Sequence, residues 1–172
     1  MLAETTLADI RAKVARVAPS RAVSIYYGRG KDGLTTAGAG SLEDEFIEIL
    51  GQRNVAREPL GMFRATAAQL ADWNPDLVVL LGRDTAKAFR GDPQLAALRA
   101  VRDRRVLAAP TLPFGWLDGP PSPSRLIGLQ WLGQLLFPDI FTADLRAATR
   151  GFYRDFYRVE LSDAQLDELL AD

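Results

Sequence analysis

Residues Leu77-Val78-Val79-Leu80-Leu81 form an unbroken apolar run directly after Asn74-Pro75-Asp76. Successive side chains of a strand point to opposite faces, so a run with no polar member needs cover on both sides. That is the environment of a central strand in a parallel sheet with helices above and below. The remaining segments are consistent with this frame. Ala22–Tyr27 and Arg105–Ala109 read as further strands, and Asn54–Arg57 as a short one.

The helical segments alternate with these strands. Leu7, Ile10, Val14 and Val17 recur at helical spacing and stop at Pro19. Ser41 with Asp44 reads as a capping box for a helix whose apolar face is Leu42, Phe46, Ile49 and Leu50, and Gly51 stops it. At 100° per residue Glu48 lies nearly opposite that face and is expected in solvent. Thr66 with Gln69 caps a helix through Trp73, and short helices are expected at Asp84–Arg90 and Pro93–Val101. Two helices close the chain, near Thr142–Tyr157 and at Ser162–Leu170, expected as an appendage; the second has a Ser162/Gln165 box. The fold class is therefore α/β: a three-layer sandwich with a mostly parallel sheet, helices on both faces, and additional C-terminal helices. Residues 1–172 are expected to be a single domain.

The stretch from Pro110 to Arg125 carries five prolines and two glycines, which rule out a helix or a central strand. It also carries Phe114, Trp116 and Leu117, too much apolar surface for an idle linker. Ser122 or Ser124 is placed to cap the next helix, and Pro138 to end it. That helix, with Leu126, Ile127, Leu129, Trp131, Leu132, Leu135 and Leu136, is apolar almost all round and should be buried. A stiff aromatic loop set on a buried helix suits a fixed contact surface, so this stretch is expected at the functional edge. Trp116 can be read as core or as partly exposed between Gly115 and Asp118.

Composition excludes several functions. The chain has no histidine and no cysteine, so disulfides, Cys/His zinc sites and Ser–His–Asp or Cys–His catalysis have no residues to use. A net charge of −1 argues against nucleic acid or an anionic membrane as the main partner. No apolar run approaches the length of a membrane span, and Met1-Leu-Ala-Glu-Thr-Thr6 lacks a signal-peptide pattern. From the residues alone the chain is expected to stay where it is made.

Gly28-x-Gly30-x-x-Gly33 matches the dinucleotide-binding fingerprint in letters, but the next expected helix begins near Leu42 rather than at the third glycine. A Gly-rich turn is the simpler reading. Arg29, Lys31 and Asp32 follow the end of a strand, where open α/β sheets place ligands. Glu43, Glu45 and Glu48 read as a solvated helix face. Tyr153 and Tyr157, with Phe152 and Phe156, read as a packing stripe. No catalytic set emerges, so the chain is expected not to be an enzyme and to need no cofactor.

Several stretches, taken in order, resemble a known family. They are Tyr27-Gly-Arg-Gly-Lys-Asp-Gly-Leu34, Gly40-Ser41, Glu48-Ile-Leu-Gly51-Gln-Arg-Asn54-Val55-Ala56 and Asn74-Pro75-Asp76-Leu-Val-Val79. Pro113-Phe-Gly-Trp-Leu-Asp-Gly-Pro-Pro-Ser122 and Arg125-Leu-Ile-Gly-Leu-Gln-Trp-Leu132 complete the set. The order is similar to the C-terminal lobe of periplasmic substrate-binding proteins of ABC importers, of the iron-siderophore/cobalamin class, from about residue 5 onward. Such proteins bind ligand in a cleft between two α/β lobes joined by a long helix.

The resemblance implies a metal chelate, haem or other tetrapyrrole-type small ligand held by Tyr27, Arg29, Asp32 and Trp116. It also implies an ABC permease docking on Glu48 and an extracytoplasmic location. The first lobe, its half of the ligand site and the export signal have no counterpart in the sequence. Self-association through the exposed cleft face is then expected. Two other readings stand beside this one: a nucleotide-binding α/β enzyme domain using Gly28–Gly33, and an assembly domain.

Overall fold

The computed structural model describes residues 2–58 and 61–171, the side chains of residues 2 and 3 aside. Four parallel strands form the main sheet: β1 (Ser24–Gly28), β3 (Arg53–Asn54), β5 (Leu77–Leu81) and β6 (Val106–Ala109), in the order β3-β1-β5-β6. A two-stranded antiparallel ribbon of β2 (Thr35–Ala37) and β4 (Met62–Arg64) stands beside it. The chain steps outward from β1 to β3, then crosses back to β5. The gap between the ends of β1 and β5 is thus the topological switch point, where open α/β sheets place ligands.

The unbroken apolar run is explained by cover on both faces. Tyr26, Val78, Leu80, Val106 and Ala108 point into one layer with Leu70, Ala86, Phe89 and Ala100. These four come from α3 (Ala67–Trp73), α4 (Arg83–Gly91) and α5 (Arg99–Arg102). Ile25, Tyr27, Leu77, Val79 and Ala109 point into the other layer. There they meet α1 (Leu2–Val14), α2 (Leu42–Ile49), α6 (Ser124–Leu136) and α7 (Leu145–Phe152). Burying each such Leu, Val or Ile side chain is worth about 1.5–3 kcal/mol, so the alternation along β5 fixes its register.

Local signals set most boundaries. Thr66 and Ser162 each cap a helix with the reciprocal Gln69 and Gln165, the second being α8 (Asp163–Leu170). The Ser41 hydroxyl accepts the Asp44 N–H at 3.1 Å, but the Asp44 carboxylate reaches one residue further back, to the Gly40 N–H at 2.9 Å. Gly51 ends α2 with φ at 69°, a conformation that favours glycine.

Five expectations change. Residues 35–37, where the sequence predicts no strand, pair with residues 62–64; three-residue strands are too short to show alternation. The helix expected over Pro93–Val101 reduces to α5 at Arg99–Arg102, and Asn54–Arg57 contributes only Asn54 to a strand. Pro123 holds the N-cap position of α6, one residue after Ser122, whose hydroxyl accepts the Ser124 N–H at 3.3 Å, while Ser124 is buried with its hydroxyl 2.7 Å from that of Tyr157. The C-terminal helices are not an appendage. Phe152, Tyr153 and Leu169 belong to the main core, with Tyr153–Tyr157 forming a π-helical turn after α7.

Packing is close where α6 crosses the Trp116 backbone. A Cβ on Gly128 would sit 2.1 Å from the Trp116 carbonyl oxygen, whereas one on Gly91 would meet nothing within 4 Å. Gly128→Ala should therefore destabilise the fold by about 1–3 kcal/mol. Gly91→Ala should be neutral or stabilising by up to about 1 kcal/mol. Urea unfolding midpoints of the two variants check this contrast.

Candidate functional site

The carboxyl ends of β1, β5 and β6 lead into three segments: the connection at residues 29–34, Gly82 with the first turn of α4 at residues 83–85, and the connection at residues 110–119. Between the latter two lies an open cavity of about 480 Å³, lined by Gly82, Arg83, Thr85, Thr111, Leu112 and Glu168 among others. Its size is that of a small-molecule site. Gly82, at φ 85°, turns the chain from β5 directly into α4, so the first turn of that helix lies in the cavity wall. The Thr85 hydroxyl donates to the Gly30 carbonyl at 2.8 Å and joins the first segment to the second.

The 28–33 loop does not form a nucleotide cradle. It leads into β2 rather than a helix, and its glycines serve close packing. A Cβ on Gly28 would meet the Gly33 carbonyl oxygen at 2.1 Å, and one on Gly33 would meet Leu80 and Phe89 below 3 Å. The Tyr26 hydroxyl donates to the Gly33 carbonyl at 2.9 Å and ties the loop to the sheet. Burial drives the Tyr26 phenol well above its ordinary pKa, so it stays a donor at any physiological pH.

The sequence-predicted residues separate on inspection. Arg29 follows β1 at the carboxyl edge with a quarter of its side chain exposed, outside the lining of the open cavity. Its Nη1 stands 3.3 Å from Glu43 Oε1 on α2 and 3.1 Å from Asp118 Oδ2 on the third loop. Both carboxylates are nearly fully buried. Tyr27 is also buried; its ring packs edge-on against Phe46 at 5.3 Å, and its hydroxyl points at Asp118 from 3.5 Å. Trp116 has no exposed surface, and its indole N–H faces the Leu112 carbonyl and the Tyr153 hydroxyl, each at 3.3 Å. In this conformation neither Tyr27 nor Trp116 offers its ring to a ligand; both hold the rim from below. Exposed apolar surface on the third loop comes instead from Leu112 and Phe114.

Asp32 accepts from both terminal nitrogens of Arg64 on β4 and from the Leu34 N–H at 3.1 Å. It staples the first loop to the ribbon. Glu48 is exposed as expected and has no ion-pair partner among the described residues. It borders a shallow groove of about 340 Å³ with Ser41, Leu42 and Glu45. Glu45 pairs with Arg125 of α6 at 2.9 Å.

Glu43 and Asp118 are the residues that sequence reasoning missed. By sequence Glu43 groups with Glu45 and Glu48 as one solvated face. Five residues of helix, however, place Glu43 about 140° round the axis from Glu48, so the two belong to different faces. Among the described residues no group of three or more His, Cys, Asp or Glu converges as a metal-ligand set. No described helix is long and apolar enough to cross a membrane.

No protein-family model and no curated protein matches the chain in sequence. Solved structures do match in fold. An ABC transporter solute binding protein from Sulfurospirillum deleyianum matches 98% of this chain with 53% of its own, at 26% identity and a TM-score of 0.88. The molybdate periplasmic binding protein MolA of Haemophilus influenzae, solved with molybdate bound, matches 93% of this chain with 49% of its own, at 25% identity and a TM-score of 0.81. An ABC-type Fe3+-hydroxamate transport system structure from Saccharomonospora viridis matches 78% of this chain with 48% of its own, at 25% identity and a TM-score of 0.60. The chain spans about half the length of these proteins and has the fold of one lobe of a periplasmic solute-binding protein.

Asp32 supplies a direct check on the rim. The Arg64 guanidinium, with help from the Leu34 N–H, holds its carboxyl below the usual carboxylate range. A depressed folded-state pKa means that the stabilisation is present above the unfolded value and is lost as pH falls through the folded one. Carbon-detected NMR titration should show Asp32 titrating low in the wild type and returning to the ordinary range in Arg64→Ala.

Proposed function

We propose that this chain is the C-terminal, ligand-facing lobe of an ABC importer's extracytoplasmic solute-binding protein, acting by capture and delivery without chemistry. The reading rests above all on the likeness of nearly the whole chain to one half of such proteins. An open cavity at the carboxyl edge of the sheet, between the ends of β5 and β6, supports it, since open α/β sheets place ligands outside the carboxyl ends of their strands. The solute is a metal species arriving already coordinated, as a hydroxamate-type chelate, in keeping with the Fe3+-hydroxamate relative. The lack of a converging ligand set among the described residues favours a complex over a bare ion. The ligand wall comprises the segments at residues 29–34, 82–85 and 111–119, with Arg29 and Asp32 on its rim and Tyr27 and Trp116 as its foundation.

Titration with ferric hydroxamates, cobalamin, haem and molybdate, followed by tryptophan quenching, tests the reading. One wall alone should give saturable but weak binding, at roughly micromolar to millimolar Kd, because half of the contact area is missing. Thr111 is exposed at the cavity. Thr111→Trp should therefore abolish binding without altering the unfolding midpoint. Binding that ignores this substitution would remove the cavity from the proposal.

Glu48 is the proposed permease contact: a free carboxylate on the solvent side of α2, suited to an arginine of the membrane partner. Glu48→Arg should change stability by less than about 0.5 kcal/mol, as an exposed substitution. It should leave solute binding intact and cut association with permease-containing membranes at least tenfold in a pull-down titration. Unchanged association would rule out this face as the dock.

A further inference from the structure

Arg29 is the cation nearest the end of β1, and a lone arginine there would attract an anionic solute. It is not alone. Its guanidinium carries one positive charge, while Glu43 and Asp118, both nearly fully buried, bring two negative charges within 3.3 Å. The cluster therefore has a net charge of about −1, with the guanidinium as its most exposed member. The Tyr27 hydroxyl beside Asp118 adds no charge, because burial pushes its pKa well up. The Met62 thioether accepts a weak hydrogen bond from the same Nη1 at 3.7 Å and adds no charge.

We propose that Glu43 and Asp118 are specificity determinants that mask Arg29, so that this wall refuses free oxyanions and admits solutes that are neutral or cationic on the face they present. The inference deepens the solute-binding reading and rests on it. Two geometrical facts favour masking over simple scaffolding. Both carboxylates converge on the same guanidinium nitrogen, Nη1. They also come from different elements, α2 and the third loop, so two parts of the fold spend a buried charge on one cation. An anion reaching Arg29 must approach a carboxylate pair at short range, where like charges are costly. A neutral oxygen can instead accept an N–H from the exposed part of the guanidinium without that repulsion.

The test follows the Arg29 side-chain Nε–H and the Gly119 amide by nitrogen–proton NMR during titration with molybdate, sulfate and hexaamminecobalt(III). In the wild type the two anions should leave both signals unmoved into the millimolar range, while the cobalt complex perturbs them. In Glu43→Gln/Asp118→Asn the order should reverse, with anion affinity at Arg29 rising about tenfold or more. Glu43→Asp keeps the charge and should behave as the wild type. If the double variant does not fold, the two single variants carry the test, each with a smaller shift in the same direction.

The proposal is overturned if wild-type Arg29 binds molybdate as tightly as the double variant does. It is equally overturned if removing both carboxylates yields no anion binding, or if Glu43→Asp opens the site as fully as Glu43→Gln. A negative result here leaves the importer reading standing, since that depends on chelate titration at Thr111 and on Glu48; failure of those, with charge reversal at Arg29 intact, would do the opposite.

Discussion

One guanidinium holds the carboxyl edge of this fold together. Arg29 follows the last residue of β1 and reaches both a helix and a loop that are distant in sequence, through Glu43 and Asp118. Two carboxylates with almost no solvent contact need a cation, and the described residues supply this one at bonding distance. Removing it would leave two uncompensated buried charges, a change that costs about 3–5 kcal/mol when one partner of such a pair is lost. The third loop depends on the same contact. Gly119 lies so close that a Cβ there would meet Arg29 at 3.1 Å. The aromatic loop is thus held from outside by charge and from beneath by Trp116.

This arrangement gives α2 two separate jobs. Its buried side supplies Phe46 and Ile47 to the core and Glu43 to the rim cluster. Its open side carries Glu45, tied to α6 through Arg125, and Glu48, left free. A single short helix therefore connects the ligand wall with the proposed permease face. The rigidity of that connection comes from packing and paired charge, so both faces keep a fixed relation to the sheet.

Much of the fold was legible in the sequence, for identifiable reasons. Leu77–Leu81 announced a strand covered on both faces because alternation forces that conclusion. The pairs Thr66/Gln69 and Ser162/Gln165 announced helix starts because reciprocal capping is local. The site was less legible because its determinants are not local. The burial of Trp116 depends on Gly128, which lets α6 approach, and on the Tyr153 hydroxyl, 37 residues further along the chain. The masking of Arg29 depends on Asp118, 89 residues away, and on a glutamate that a count of charges assigns to solvent. The β2–β4 ribbon stayed hidden because three-residue strands carry no periodic signal.

The central claim is that the carboxyl edge of the sheet is a solute-binding wall. A neutral gallium(III) trihydroxamate complex, diamagnetic and shaped like its ferric counterpart, permits the most direct measurement: an amide chemical-shift map of the 172-residue chain at saturating complex. The account predicts that perturbed amides cluster at residues 29–34, 82–85 and 111–119. Shifts confined to the opposite edge, around Arg104 and Arg105 before β6, or no shifts at millimolar complex, would contradict it.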